Sequence, residues 1–419
     1  ELPDTPLVIG GPHVTALAED AMEDFGVDLA MTGECEQSFP ELVEAMAAGG
    51  SLDGGSLAGS PQDGSPLNNG RLDGIPGLCF RDGDGGIFVG ERGDFTDDLD
   101  SLPFPAWDLM DPRSYPDLPH QLLHKKFPVA PVMTSRGCPY DCSFCASTAL
   151  WGRGWRTRSA ENVVDEIEML VRDFDVKEIH FEDDNFTLKA SHAAAVCEEI
   201  LRRGIDIAWA CPNGVRIDTL DDDLLALMRR SGCYSLGFGI ESGSQAVLEK
   251  NNKKLKLDRV ADQVRMVKRH GIEAFGFFII GLPGETADTI RETIRFARRV
   301  PFDRANFGLL SPLPGSGIFN EYVLAKSGGE AKAVGGAKSS GEAKSGGDAK
   351  SGSEGFDHRV LNYFNPFPIG GLDSRELNRW QRRAVYSFYL RPGPLLKVVR
   401  DLRPAQVKQM LRALFDYST

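Results

Sequence analysis

The segment Cys138-Pro-Tyr-Asp-Cys142-Ser-Phe-Cys145 sets three thiols on one short stretch in a C-x3-C-x2-C spacing. Three thiolates on one loop can hold three irons of a four-iron cluster and leave the fourth open to a substrate or cofactor. Electron-transfer clusters close with four cysteines in other spacings. Structural zinc sites pair C-x2-C or C-x4-C with a second ligand pair downstream, and neither a second C-x2-C nor an H-x3-H follows here. The remaining alternative is three unrelated cysteines buried as small apolar side chains.

The chain has 419 residues, room for two or three domains. With 41% hydrophobic and 26% charged residues it has the composition of a soluble globular protein. A formal net charge of −14, with no basic stripe evident in the sequence, argues against nucleic acid as a partner. No apolar run is long enough for a membrane span, and no signal peptide is visible. Eight cysteines without a disulfide-like framework fit a reducing, cytoplasmic setting. The chain opens at Glu1, directly before the strand-like Leu7-Val8-Ile9, and reads as a fragment or a processed product.

Residues 1–75 are expected to form a partial doubly wound α/β domain: a strand at 7–9, the turn Gly10-Gly11-Pro12-His13, a helix near 18–25, a strand at 29–31 and a helix near 39–46. Residues 50–75 are rich in Gly, Ser and Asp and read as loop. A connecting segment, 76–125, holds short β pieces at 78–80 and 87–89 and the Pro-rich Leu102-Pro103-Phe104-Pro105. From 126 to 324 strands and helices alternate, with strands expected at 131–135, 177–182, 206–211, 234–239, 273–280 and 304–310. Helices are expected between them at 160–172, 189–203, 221–231, 258–270 and 286–299. Ser159 suits an N-cap; Gly204, Gly232 and Gly271 suit C-caps. This alternation implies a parallel sheet in a partial, six-stranded βα barrel. Residues 325–354 fall into five hexads, each beginning Ala-Lys, too poor in apolar residues to bury a core; they read as a disordered linker. Residues 355–419 form a helical C-terminal region whose Leu377, Trp380, Ala384 and Phe388 suit a packing helix or, alternatively, an element covering a substrate.

In βα barrels the working groups gather on loops after the C-terminal ends of strands. Those loops here are the cysteine loop, Glu182-Asp183-Asp184-Asn185, Asn213-Gly214-Val215-Arg216, Glu241-Ser242-Gly243, Gly281-Leu282-Pro283-Gly284-Glu285 and Pro312-Leu313-Pro314-Gly315. All are polar or glycine-rich.

On these motifs the chain resembles the radical S-adenosylmethionine (radical SAM) enzymes over about 130–320, and within them the subgroup with a cobalamin-binding domain. The resemblance implies a [4Fe-4S] cluster on Cys138, Cys142 and Cys145. Its open iron would bind the amino and carboxylate groups of S-adenosylmethionine, and one electron would release a 5′-deoxyadenosyl radical. It also implies that Phe144 packs on the adenine and that one of Glu182, Asp183 and Asp184 accepts the methionine ammonium. Arg216 would pair with the methionine carboxylate, or form a structural ion pair. Glu241 would accept from the ribose hydroxyls, or do likewise. Gly281 and Gly284 would allow close backbone approach, and Pro314 lies in the loop shaping the adenine pocket. Arg156 and Arg158 would reach substrate or cofactor carboxylates. Gly10 and Gly11, with Gly33-Glu34-Cys35-Glu36, resemble the later part of a cobalamin-binding domain. The subgroup's Asp-x-His-x-x-Gly element has no counterpart, and Cys35 stands where glycine is usual. Residues Leu99 to Pro105 resemble the subgroup's bridge between domains.

The function implied is cobalamin-dependent methylation of an unactivated carbon in a small molecule, with an electron donor such as flavodoxin or ferredoxin. The alternatives are a non-methylating radical reaction, such as oxidative cyclisation of a tetrapyrrole-like substrate, and a truncated, non-catalytic cluster-binding scaffold.

Overall fold

The computed structural model describes residues 6–47, 74–81, 85–117, 124–323, 367–368 and 371–401. The hexad stretch 325–354 and nearly all of the loop expected at 50–75 lie outside the described residues.

The N-terminal unit runs β1 (Val8–Ile9), α1 (Pro12–Ala16), α2 (Ala18–Phe25), β2 (Leu29–Met31), α3 (Ser38–Ala47), β3 (Leu78–Arg81) and β4 (Ile87–Val89). β1 and β2 are parallel, as a doubly wound unit requires. β3 then pairs antiparallel with β2, and β4 with β3. The segment expected to connect two domains thus supplies half of this sheet. The reason lies in burial: Leu78, Cys79 and Phe80 are too apolar to remain on a surface, and Leu78 and Phe80 join Leu29, Met31 and Leu42 in one small core while Cys79 joins Ala30 and Met22 in another.

The larger unit runs β5 (Val129–Val132), β6 (Ser135–Arg136), α4 (Ser147–Trp151), β7 (Arg156–Thr157), α5 (Ala160–Phe174), β8 (Glu178–Phe181), α6 (Ala190–Arg202), β9 (Ala208–Val215) and α7 (Asp222–Arg230). It continues through β10 (Cys233–Glu241), α8 (Gln245–Lys250), α9 (Leu257–Arg269), β11 (Glu273–Ile280), α10 (Ala287–Arg299), β12 (Arg304–Leu309) and α11 (Gly317–Tyr322). After the undescribed stretch come α12 (Ser374–Tyr389) and α13 (Pro392–Asp401). Six strands form one sheet in the order β12-β11-β10-β9-β8-β5, and every neighbouring pair is parallel. β12 and β5 do not pair with each other, so the barrel is partial.

The first strand lies a few residues earlier than expected. It ends at Val132 because the Thr134 N–H turns to the Asp183 carboxylate, at 3.1 Å, instead of a neighbouring strand. Helix α5 begins where its cap residue dictates: Ser159 Oγ accepts from the Asn162 N–H at 3.1 Å, and Val163, Ile167 and Leu170 then fall on one buried face.

The outer margin of β12 is covered by α12. This helix buries Leu377, Ala384 and Phe388 against the sheet. Its polar side chains meet the backbone groups that an edge strand leaves unpaired. Gln381 Nε2 donates to the Phe307 carbonyl at 2.9 Å, Tyr389 Oη donates to the Ala305 carbonyl at 2.8 Å, and the same hydroxyl accepts from the Ala305 N–H at 3.2 Å. Between the two readings of the C-terminal region, these contacts make α12 a packing helix.

Candidate active site: a braced cysteine loop at the strand ends

The cysteine loop leaves the sheet through a small antiparallel ribbon in which Ser135 pairs with Thr157 and Arg136 with Arg156. Gly137, at φ +89°, makes the turn into it; a Cβ there would lie 2.1 Å from the Gly154 carbonyl oxygen, so only glycine fits. The loop is stitched to the fourth and sixth strand-end loops directly and, through Asn251, to the fifth. The Ser143 N–H donates to the Asn251 carbonyl at 3.1 Å, Ser143 Oγ donates to Asn251 Oδ1 at 2.9 Å, and the Ile318 N–H donates to the Ser143 carbonyl at 2.8 Å. Asn251 is fully buried, and its Nδ2 donates to the carbonyls of Val247 and Pro283 at 2.8 and 3.0 Å. One side chain thus ties the first, fourth and fifth loops together. In the sequence Asn251-Asn252 reads only as a helix end, and Asn252 does take the left-handed φ of +55° that such an end favours.

Cys138, Cys142 and Cys145 are free and half-buried. Burial raises all three thiols, Cys145 to about 11. Metal ligation is what converts such thiols to thiolates. Cations stand close by: Lys253 and Arg216 both lower the Cys142 thiol electrostatically. Among the described residues no three His, Cys, Asp or Glu side chains are gathered as a single-ion site.

The acidic loop divides its labour. Asp183 is buried and accepts from the Thr134 N–H, from Thr134 Oγ1 at 2.7 Å and from Ser135 Oγ, bracing the stretch that leads into the cysteines. Asp184 accepts from Ser147 Oγ, in the first turn of the helix that follows Cys145. Glu182 is not tied to the cysteine loop in this way; its carboxylate takes a hydrogen bond from the Asn213 side chain on the third strand-end loop. It lines a cavity of about 300 Å³ with Arg136, Arg158 and Met133, and burial raises its pKa.

Arg216 lies with its guanidinium 4.1 Å from the centre of the Tyr140 ring, inside the cysteine loop, and forms a two-point ion pair with Asp218 at 2.9 and 2.6 Å. Glu241 pairs with Lys253 at 2.9 Å, both side chains being 11% exposed. Although burial works against it, the Glu241 carboxylate, together with Cys142, holds the Lys253 ammonium above its usual range. Glu241 also has φ +67°, an uncommon backbone state for a non-glycine residue, at the end of β10. Lys253 was not among the residues singled out from sequence; it follows a short helix amid other lysines, with no spacing to mark it. Phe144 packs among Val247, Leu282, Leu310 and Ile318, where the fourth, fifth and sixth loops meet. Gly281 and Gly284 have φ +103° and +89°. Pro314 precedes Gly315, whose Cβ would lie 2.7 Å from that of Ala149 in α4.

Glu285 is buried, accepts from the Gly281 N–H at 2.6 Å, and leaves Oε1 without a partner; burial raises its pKa to about 7. Between about pH 4.5 and 7 the folded chain keeps a proton that the unfolded chain has released, so this group's contribution to stability falls by about 3 kcal/mol over that window and is level above it. Glu285→Gln keeps an acceptor for Gly281 and abolishes the slope. Urea midpoints at pH 5 and pH 8 should converge in the variant relative to the parent; equal pH dependence in both refutes the assignment.

Arg156, expected to reach a cofactor or substrate, instead joins the two units. It donates to both oxygens of Glu34 at 2.9 and 2.6 Å and to the Thr96 carbonyl at 2.7 Å. Arg136 lies 3.4 Å from Glu34 and 2.6 Å from Glu36. Burial opposes it, but the Arg156 and Thr96 hydrogen bonds and the charge of Arg136 hold the Glu34 carboxyl below its ordinary range. Arg158 is bound to Glu166, Asn162 and the Met133 carbonyl, so it too is structural. A groove of about 470 Å³ opens at the C-terminal ends of β1 and β2, lined by Gly10, Gly11, Gly33, Cys35, Phe39 and, from α4, Trp151. Gly11 has φ +100°. The Cys35 thiol donates to the Gly33 carbonyl at 3.4 Å.

A partial βα barrel with three free thiols on its first strand-end loop, braced by carboxylates and by the later loops, is an α/β scaffold that gathers reactive groups at its strand ends. Residues 132–297 match the model of the radical SAM superfamily. An uncharacterised methyltransferase of Pyrococcus horikoshii is 30% identical over 97% of this chain and 77% of its own length. The chain belongs to the radical SAM superfamily. An anaerobic magnesium-protoporphyrin IX monomethyl ester cyclase of Rubrivivax gelatinosus is 30% identical over 76% of this chain, which spans 53% of that protein. Among solved structures, the radical S-adenosylmethionine methyltransferase TsrM of Kitasatospora setae, with cobalamin and a [4Fe-4S] cluster bound, shares the fold: TM-score 0.59, 21% identity, 77% of this chain and 58% of that one.

Proposed function

We propose that the chain binds a [4Fe-4S] cluster through Cys138, Cys142 and Cys145 and S-adenosylmethionine beside it, and that with cobalamin it methylates an unactivated carbon of a small molecule. The observation behind this reading is the bracing of the three-thiol loop by every other strand-end loop, an investment that a passive metal clip does not need. When bound, the cluster supplies one electron to the S-adenosylmethionine sulfonium and cobalamin supplies a route for the methyl group.

The chain's own residues do the rest. Asp183 and Asp184 fix the two ends of the cysteine loop, which leaves Glu182 as the carboxylate for the methionine ammonium. Arg216 and Lys253 place positive charge near Cys142 and suit the methionine carboxylate. Glu241, held at positive φ, would accept from the ribose hydroxyls. Phe144 and the Pro314 loop would wall the adenine and exclude water. The groove over Gly10 and Gly11 would take the cobalamin tail, with Trp151 joining it to the cluster loop. A low-potential donor such as flavodoxin or ferredoxin would bring the electron.

The 30% identity to a cyclase favours, as a second reading, a non-methylating radical reaction. Reconstituted, reduced protein is to be incubated with S-adenosylmethionine, with and without cobalamin. 5′-Deoxyadenosine together with cobalamin-dependent S-adenosylhomocysteine supports methylation; 5′-deoxyadenosine alone supports the second reading. Neither product, with the cluster intact, sinks both.

A further inference from the structure

A strongly basic groove lies outside this site. It has a volume of about 610 Å³ and sits between the C-terminal end of α10 and the α12–α13 corner, lined by Arg298, Arg379, Arg382, Arg383 and Arg391. Contrary to the expectation of no basic stripe, Arg379, Arg382, Arg383 and Arg391 stand within one short segment at near-helical spacing, and the packing of α12 on α10 adds Arg298.

Among the described residues the charge is not neutralised locally. No Asp or Glu occurs from Leu377 to Arg400, although the chain as a whole has 61 such residues among 419 and a net charge of −14. Among the described residues none of the five arginines forms an ion pair with a carboxylate. Arg383 lies 5.1 Å from the Trp380 ring and Arg391 4.4 Å from the Phe388 ring, and Arg298 reaches Ser387 at 3.3 Å. Apolar groups stand out beside the charges: Tyr386 and Leu390, in the same groove, are 61% and 71% exposed, and Leu396, one turn into α13, is 68% exposed.

We propose that this face docks the enzyme on an anionic membrane surface. Guanidinium groups suit lipid phosphates bidentately, and exposed leucine and tyrosine side chains flanking a basic cluster can enter the interfacial layer. The association is peripheral, since no helix among the described residues is long and apolar enough to cross a membrane. It does not depend on which reaction the strand-end site performs.

Reconstituted protein is to be sedimented with vesicles of phosphatidylcholine alone and of phosphatidylcholine mixed with phosphatidylglycerol. Binding is expected only to the mixed vesicles, and to be lost at about 1 M salt, where the Debye length is about 3 Å. Because each cation near such a surface counts separately, R379E/R382E/R383E should weaken partitioning at least about a hundredfold. L390S/L396S should weaken it less and leave the salt dependence intact. Both variants should keep their iron and their S-adenosylmethionine cleavage, which reports folding. Equal binding to both vesicle types, or unchanged binding by the charge-reversal variant, overturns the proposal. So does capture by soluble polyglutamate with no vesicle binding, which would make an acidic polypeptide the occupant.

Discussion

Replacing Cys138, Cys142 and Cys145 together with alanine is expected to lower iron from about four per chain to background after anaerobic reconstitution. 5′-Deoxyadenosine formation should vanish with it, while far-UV circular dichroism stays near that of the parent. The fold should survive because the loop is anchored by groups other than sulfur: the Ser143 contacts with Asn251, the Ile318 N–H on the Ser143 carbonyl, and Asp183 on Thr134 and Ser135. Single substitutions should be nearly as severe for catalysis, since a cluster held by two thiolates lacks the coordination that leaves only one iron open. Retention of four irons by the triple variant would remove the foundation of the proposed function.

The second large effect is expected at Asn251. Asn251→Ala deletes the acceptor for Ser143 Oγ and the donor to Val247 and Pro283, in a fully buried position. Each buried group left unpaired costs about 1–3 kcal/mol, so a total loss of about 3–5 kcal/mol is expected, seen as a lowered urea midpoint. A purely structural role would stop there. A positioning role predicts in addition that iron is lost severalfold faster during anaerobic gel filtration. It also predicts that Asn251→Asp, which keeps an oxygen for Ser143 but not the amide donor, falls between parent and alanine. If the alanine variant is less stable but holds its iron as firmly as the parent, the residue does not position the loop.

How much of this could be read from the sequence depended on the range of the interaction involved. The order of strands and helices followed from local periodicity and caps: β11 lies where the apolar run 273–280 put it, and Ser159 caps α5. The cysteine motif was legible because three ligands on one loop are close in sequence as well as in space. What escaped is held together over long separations. Asn251 looks like a helix terminus until Ser143 and Pro283 are brought to it. Arg156 and Arg158 looked free to meet a ligand, and the structure gives them to Glu34 and Glu166. Of three adjacent acids, sequence offered no way to see that Asp183 is buried beneath Thr134 while Glu182 faces a cavity. The extra strands β3 and β4 were recognised as β pieces, but their membership of the N-terminal sheet is a matter of pairing, which no single-strand pattern encodes.

The way α12 meets β12 has an evolutionary consequence. Two side chains, Gln381 and Tyr389, occupy the outward backbone groups of Ala305 and Phe307. The rim of the sheet is therefore closed by an interchangeable plug instead of a seventh strand. A plug of this kind can be replaced by another helix, or by a loop, without breaking a strand-to-strand hydrogen bond, and only its first turn, where Leu377 lies against Gly281, reaches the strand-end loops. Lineages that share the front of this scaffold are free to trade its back, and with it the surfaces and substrates they address.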